Sequence, residues 1–151
     1  MEPLGDQELS TAIESAASPS WSVRGAAGRQ LASSDKIEEV ADVLHRLLLD
    51  AQDTWVIQET AEALLERKDT IGLRCVLLAY SQADTHDAVD HLGAALDCDP
   101  EWMTTEGADR LIKQLRTLAT DEDPGVRDEA LQSLAKLRPR EEWAHDSETD
   151  S

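Results

Sequence analysis

The sequence predicts an all-α chain, built as a short α-solenoid of about four helical hairpins. Three observations predict it. Ala and Leu each occur 20 times in the 151 residues, against no Phe and one Tyr. That composition suits helices and lacks the β-branched and aromatic supply of a sandwich or barrel. Apolar residues recur at i, i+4 and i+8, the buried stripe of a helix. The stripe itself recurs, starting at 23, 57, about 88 and 126. The mean spacing of about 34 residues is that of stacked helical repeats.

Each element has its own justification. The first hairpin opens with a modest amphipathic helix over 6–17, where Leu9, Ala12, Ile13 and Ala16 share a face. Its second helix carries Val23, Ala27 and Leu31. The small Ala in the middle lets a neighbouring helix come close. The next stretch, 35–50, has the broad stripe Ile37, Val40, Ala41, Leu44, Leu47 and Leu48. Asp35 with Glu38 resembles a capping pair there. Ile57, Ala61 and Leu65 repeat the stripe, with Thr54 as the expected cap. A helix over 69–82 follows. The third copy reads best as Ala88, Leu92 and Leu96, with Asp84 as its cap. Cys98-Asp99-Pro100 marks a break. Leu111, Ile112, Leu115 and Leu118 give a helix over 104–119. Asp123-Pro124 then sets a cap before a proline at the first helical position, where the missing N–H costs nothing. Val126, Ala130 and Leu134 form the last stripe, and Pro139 is expected to stop the helix. This gives a repeat domain over 1–138 and an acidic, mobile tail over 139–151.

The segment Asp123-Pro124-Gly125-Val126-Arg127, followed by Ala130, Leu134 and Leu137, resembles the second helix of a HEAT repeat. The first copy keeps Val23-Arg24, Ala27 and Leu31; the second has Ile57-Gln58 where the family favours Val-Arg. The third has no Arg at this place. The resemblance covers about residues 6–138. It implies a right-handed superhelix with the second helices lining a concave face. It implies no activity, because such repeats are scaffolds for many functions.

Charge narrows the function. There are 32 Asp and Glu against 14 Lys and Arg, a formal charge of −18. A nucleic-acid backbone demands a basic face, so no nucleic-acid partner is expected. That also sets aside the HEAT-like DNA glycosylases. No apolar run approaches a membrane span, and the N-terminus lacks the basic-then-apolar pattern of a secretory signal. Two cysteines, Cys75 and Cys98, are too few for a disulfide framework. A cytoplasmic monomer with reduced thiols is expected.

Three constellations are candidates for chemistry. The outward positions of the repeat helices are rich in acids: Glu59, Glu62 and Glu66, then Asp87 and Asp90, then Asp128 and Glu129. If the helices stand side by side, these carboxylates line one groove. A groove of that charge suits a basic protein and speeds encounter with it. His86 and Asp90, and Asp87 and His91, are four apart and could offer a metal two ligands each. Two are too few, and the i, i+4 pairing of an exposed helix is the simpler account, so no metal is expected. Trp21 and Trp55 both precede a stripe start by two residues. Trp55 is expected in the core, and Trp21 and Trp102 are candidate aromatic anchors of a binding rim. Trp102 and Trp143 are expected to be exposed.

There is no Gly-rich phosphate loop, no nucleophile elbow and no nearby Cys–His arrangement. The leading expectation is therefore a non-enzymatic binding protein without cofactor, whose acidic concave face holds a basic protein. An inhibitor or immunity protein that neutralises a toxin is its sharper form. An assembly adaptor stacking through an exposed solenoid end is the first alternative. An enzyme with an unrecognised carboxylate site is the second.

Overall fold

In the computed structural model the backbone of residues 6–149 and the side chains of residues 7–136 are described. Among these residues the chain is all-helical, with eight α-helices, two short 3-10 segments and no strand. The helices are α1 (Asp6–Ser15), α2 (Trp21–Ala32), α3 (Ala41–Leu48), α4 (Thr54–Glu66), α5 (Thr70–Gln82), α6 (His86–Asp97), α7 (Thr105–Leu118) and α8 (Pro124–Thr149). The 3-10 segments are Ile37–Val40 and Pro100–Met103. Each expected helical stretch contains an α-helix, though the one over 35–50 is shorter than expected. The chain divides into two compact units, Met1–Asp99 and Pro100–Ser151. The division falls at the Cys98-Asp99-Pro100 break, inside the stretch read as one repeat domain.

In the first unit α1 packs on α2, α2 on α4, and α4 on α6, while α3 packs on α5. α3, α4, α5 and α6 also touch in sequence order. The core between these layers holds much of the expected stripe set: Ala27, Leu31, Leu44, Leu48, Ile57, Ala61, Ala88 and Leu92 are essentially inaccessible, joined by Leu77 of α5. The hydrophobic gain of burying a Leu or Ile side chain is about 1.5–3 kcal/mol each, which is what orders these short helices. Val23 departs from the expectation and is exposed, while Arg24 and Gly25 turn inward. Only the first position of the stripe departs, because the inward face of α2 there is used for close helix contact, which suits Gly25 rather than Val23.

α2 and α4 run side by side in the same direction. The contacts pair Trp21 with Trp55, Gly25 with Trp55, Gly28 with Thr60 and Arg29 with Glu59 and Glu66. A Cβ on Gly25 would overlap the Trp55 ring, and one on Gly28 would overlap the Thr60 hydroxyl. The two glycines are what let the helices approach this closely.

The second unit holds the 3-10 segment Pro100–Met103, α7 and α8. α7 packs on both of the others. Leu111, Leu115, Leu118, Val126 and Ala130 are buried there.

Several local expectations are corrected. The 35–50 stretch is not one helix, and Asp35 makes no cap; a 3-10 turn precedes α3. The cap of α4 is Asp53, which accepts from the Trp55 N–H, not Thr54. The cap of α6 is Thr85, which accepts from the Ala88 N–H, not Asp84. Asp123 caps α8 as expected, accepting from the Val126 N–H at 2.9 Å. Pro139 does not end α8, which continues to Thr149. An interior proline removes one hydrogen bond and strains one turn, and Leu137, Arg138, Arg140, Glu141 and Glu142 around it all tolerate a helix. α4 ends with Lys68 at φ 63°, the left-handed stop usually given to glycine. No helix among the described residues is long and apolar enough to cross a membrane.

Candidate functional site

The acidic candidates of the first unit lie on α4 and α6. Glu59, Glu62 and Glu66 fall at i, i+3 and i+7 of α4 and so share a side of it. They are not equivalent. Arg29 of α2 reaches across the seam and donates to Glu59 Oε2 at 2.9 Å and to Glu66 Oε2 at 3.1 Å. Two of the three expected free carboxylates are therefore engaged by one guanidinium. Glu62 accepts from Gln58 Nε2 at 3.1 Å and is half-buried. Asp87 and Asp90 on α6 are exposed, and His86 Nε2 lies 3.3 Å from Asp90 Oδ2. Sequence reasoning missed Arg29 because its partners are 30 and 37 residues away.

Asp128 and Glu129 belong to the second unit. Asp128 is exposed. Glu129 is half-buried, and partial burial raises its pKa, helped by Asp128 and opposed by Lys136.

Two further arginines are committed to structure in the first unit. Arg24 is buried. Its Nε donates to Asp50 Oδ2 at 2.8 Å, and its Nη1 donates to the Ser18 carbonyl at 3.0 Å. Asp50 Oδ1 also accepts from the Gln52 and Asp53 N–H groups. One ion pair thus ties the loop before α2 to the loop before α4. Arg67 donates from Nη1 to the Ala32 and Ser34 carbonyls at 2.7 and 2.9 Å and pairs with Asp69 at 3.0 Å. Asp69 in turn caps α5 through the Gly72 N–H. Arg29, Ser33, Ala63, Glu66, Arg67 and Asp69 line an open depression at this end of the α2–α4 seam.

The aromatic residues are placed differently from expectation. Trp55 is not core: it is 38% exposed, and Trp21 is 51% exposed. Their rings meet edge to face, with centroids 5.1 Å apart and planes at 82°. A tryptophan in the first turn of a helix can lie at the margin of the helix seam, where Gly25 receives Trp55 and one side of the ring stays open. Trp102 is half-buried in the second unit rather than exposed, and it has contacts of its own. Trp143 lies outside the described side chains.

Among the described residues no group of three or more His, Cys, Asp or Glu is placed to hold a metal ion. Cys75 and Cys98 are free thiols. Burial pushes the Cys75 thiol pKa up, against the pull of Arg74 and Arg67, which makes it a poor nucleophile at neutral pH. Comparisons with protein families, with curated proteins and with solved structures find no match for this chain.

Proposed function

We propose that this is a non-enzymatic, HEAT-like helical-repeat protein whose acidic surface binds a basic protein. The observation that carries the reading is the fate of the cations. Residues 1–99 contain 19 acids and seven Lys or Arg. Three of those seven, Arg24, Arg29 and Arg67, are spent on internal pairs. Exposed acids such as Asp87 and Asp90 are left to dominate the field outside. Such a field accelerates encounter with a basic partner and gives binding a strong salt dependence. Neutralising a basic toxin is the sharpest form of this reading.

The repeat reading has a local support. Arg24 donates to a carbonyl six residues earlier, Ser18, at 3.0 Å. Arg127 donates to a carbonyl six residues earlier, Asp121, at 3.1 Å. The arginine of the Val-Arg pair thus makes the same local contact in both units, although Val23 is exposed and Val126 is buried.

The test is charge reversal of Glu62, Asp87 and Asp90 to Lys, with affinity followed along a salt gradient. Glu59 and Glu66 are left alone because Lys there would face Arg29. The expected result is at least a tenfold loss of affinity for the basic partner recovered from the source cell, with a shallower salt slope. Unchanged affinity would sink the proposal.

A second reading has its own observation. Met103 is 87% exposed and Leu131 51% exposed in the second unit. Apolar side chains left open on a repeat end favour an assembly adaptor. Concentration-dependent association that Met103→Lys with Leu131→Lys abolishes would favour that reading over the first.

A further inference from the structure

The two tryptophans of the first unit are held in a way that burial alone does not explain. Neither ring is buried. Trp55 lies against α2 because Gly25 offers no Cβ to block it. That arrangement places a glycine inside a helix, where alanine would be the more stabilising residue. Trp21 then meets Trp55 edge to face at 5.1 Å and 82°. The result is a corner of two perpendicular rings, both partly open to solvent.

We infer that the Trp21–Trp55 corner is an aromatic clamp for an arginine or lysine side chain of the basic partner. The inference rests on the basic-partner reading above and adds a place on the surface to it. The chemistry follows from the rings. The face of an indole carries the negative lobe of its quadrupole and attracts a cation within about 6 Å of the ring centre. Two perpendicular faces hold a cation from two sides. The net charge of the unit is complementary, since it carries 19 acids against seven Lys or Arg. Asp53 caps α4 two residues before Trp55 and offsets the partial positive charge of that helix end. Glu59 follows Trp55 by one turn on the same side of α4 and already binds one guanidinium, that of Arg29. Each ring already rests against the other, and Trp55 also against Gly25, so less side-chain entropy is lost when the cation arrives than for two separate side chains.

The experiment is a titration of the full-length protein, labelled with nitrogen-15, with a nona-arginine peptide. The indole N–H signals of the four tryptophans report separately. The expected result is that the Trp21 and Trp55 signals shift and those of Trp102 and Trp143 do not. Trp21→Ala is expected to weaken binding about two- to fivefold, the worth of one exposed cation–ring contact, without changing the salt slope. Trp21→Phe, which keeps a ring face, should recover most of the loss. Circular dichroism confirms that the Trp21 variants remain folded, as an exposed position allows.

Two outcomes overturn the clamp. If the peptide binds while the Trp21 and Trp55 signals stay still and Trp21→Ala binds like the parent, the acidic face acts alone and only the clamp is lost. If an uncharged leucine-rich peptide shifts the same signals more strongly than nona-arginine, the corner is an apolar docking site. Absence of any binding at low salt removes the clamp together with the basic-partner reading.

Discussion

Gly25 and Gly28 decide how α2 and α4 meet. Each gives up the helix preference of an alanine, and each lets a side chain of α4 lie against the α2 backbone: the Trp55 ring at Gly25, the Thr60 hydroxyl at Gly28. Gly25→Ala therefore opposes two effects. Alanine favours the helix by about 1 kcal/mol. Its methyl must displace the Trp55 ring, and such overpacking costs about 1–3 kcal/mol. Displacement wins while the ring is there, so Gly25→Ala is expected to lower stability by about 1 kcal/mol in urea unfolding. In a Trp55→Ala background the same change is expected to stabilise. The pair of measurements checks the contact itself, and equal effects in both backgrounds would contradict it. Of these features the sequence showed only the small residues. It placed Trp55 in the core because a large aromatic at a repeated position is most often buried, and a helix's first turn offers an outer seat that periodicity does not reveal.

At the scale of the elements, the apolar period was enough to locate all eight helices. Their ends were less legible. At both α4 and α6 a competent cap residue has a competent neighbour, Asp53 beside Thr54 and Asp84 beside Thr85. The choice between neighbours depends on where the preceding loop delivers the chain. The loop before α4 is fixed by the Arg24–Asp50 pair, whose side chains are 8% and 9% exposed. Asp50 also takes the Gln52 and Asp53 N–H groups, so the pair sets the entry to α4. Removing one partner of a buried pair leaves an uncompensated charge and costs about 3–5 kcal/mol. Arg24→Ala is expected near the lower end of that range, because Asp50 keeps its two backbone donors. Chemical denaturation measures it, and a loss below about 1 kcal/mol would mean that the pair does not hold the loop.

Charge sets the behaviour of the whole molecule in solution. With a formal charge of −18, like charges repel throughout the folded chain. Salt shortens the reach of that repulsion to about 8 Å at physiological strength and about 3 Å at 1 M. It also weakens exposed attractions such as Arg29–Glu66, which contribute little individually. Repulsion outweighs attraction here because acids outnumber bases by more than two to one. The melting temperature is accordingly expected to rise between about 0.02 and about 0.5 M sodium chloride. A flat or falling melting temperature would show that the internal pairs, rather than the surplus acids, govern stability. The same surplus is the basis on which a basic partner is proposed.

Local preference and a 3.6-residue period are both written in neighbouring residues. They suffice to make the chain helical, to place its helices and to choose the inward stripe of most of them. Packing between distant segments is needed for the rest. It brings Arg29 onto Glu59 and Glu66, buries Arg24 on Asp50, and sets two tryptophans in an open corner. Each of these contacts joins residues between 26 and 37 positions apart. Their meeting depends on the spacing of α2 and α4, which no periodicity in either helix encodes and which the two glycines of α2 set.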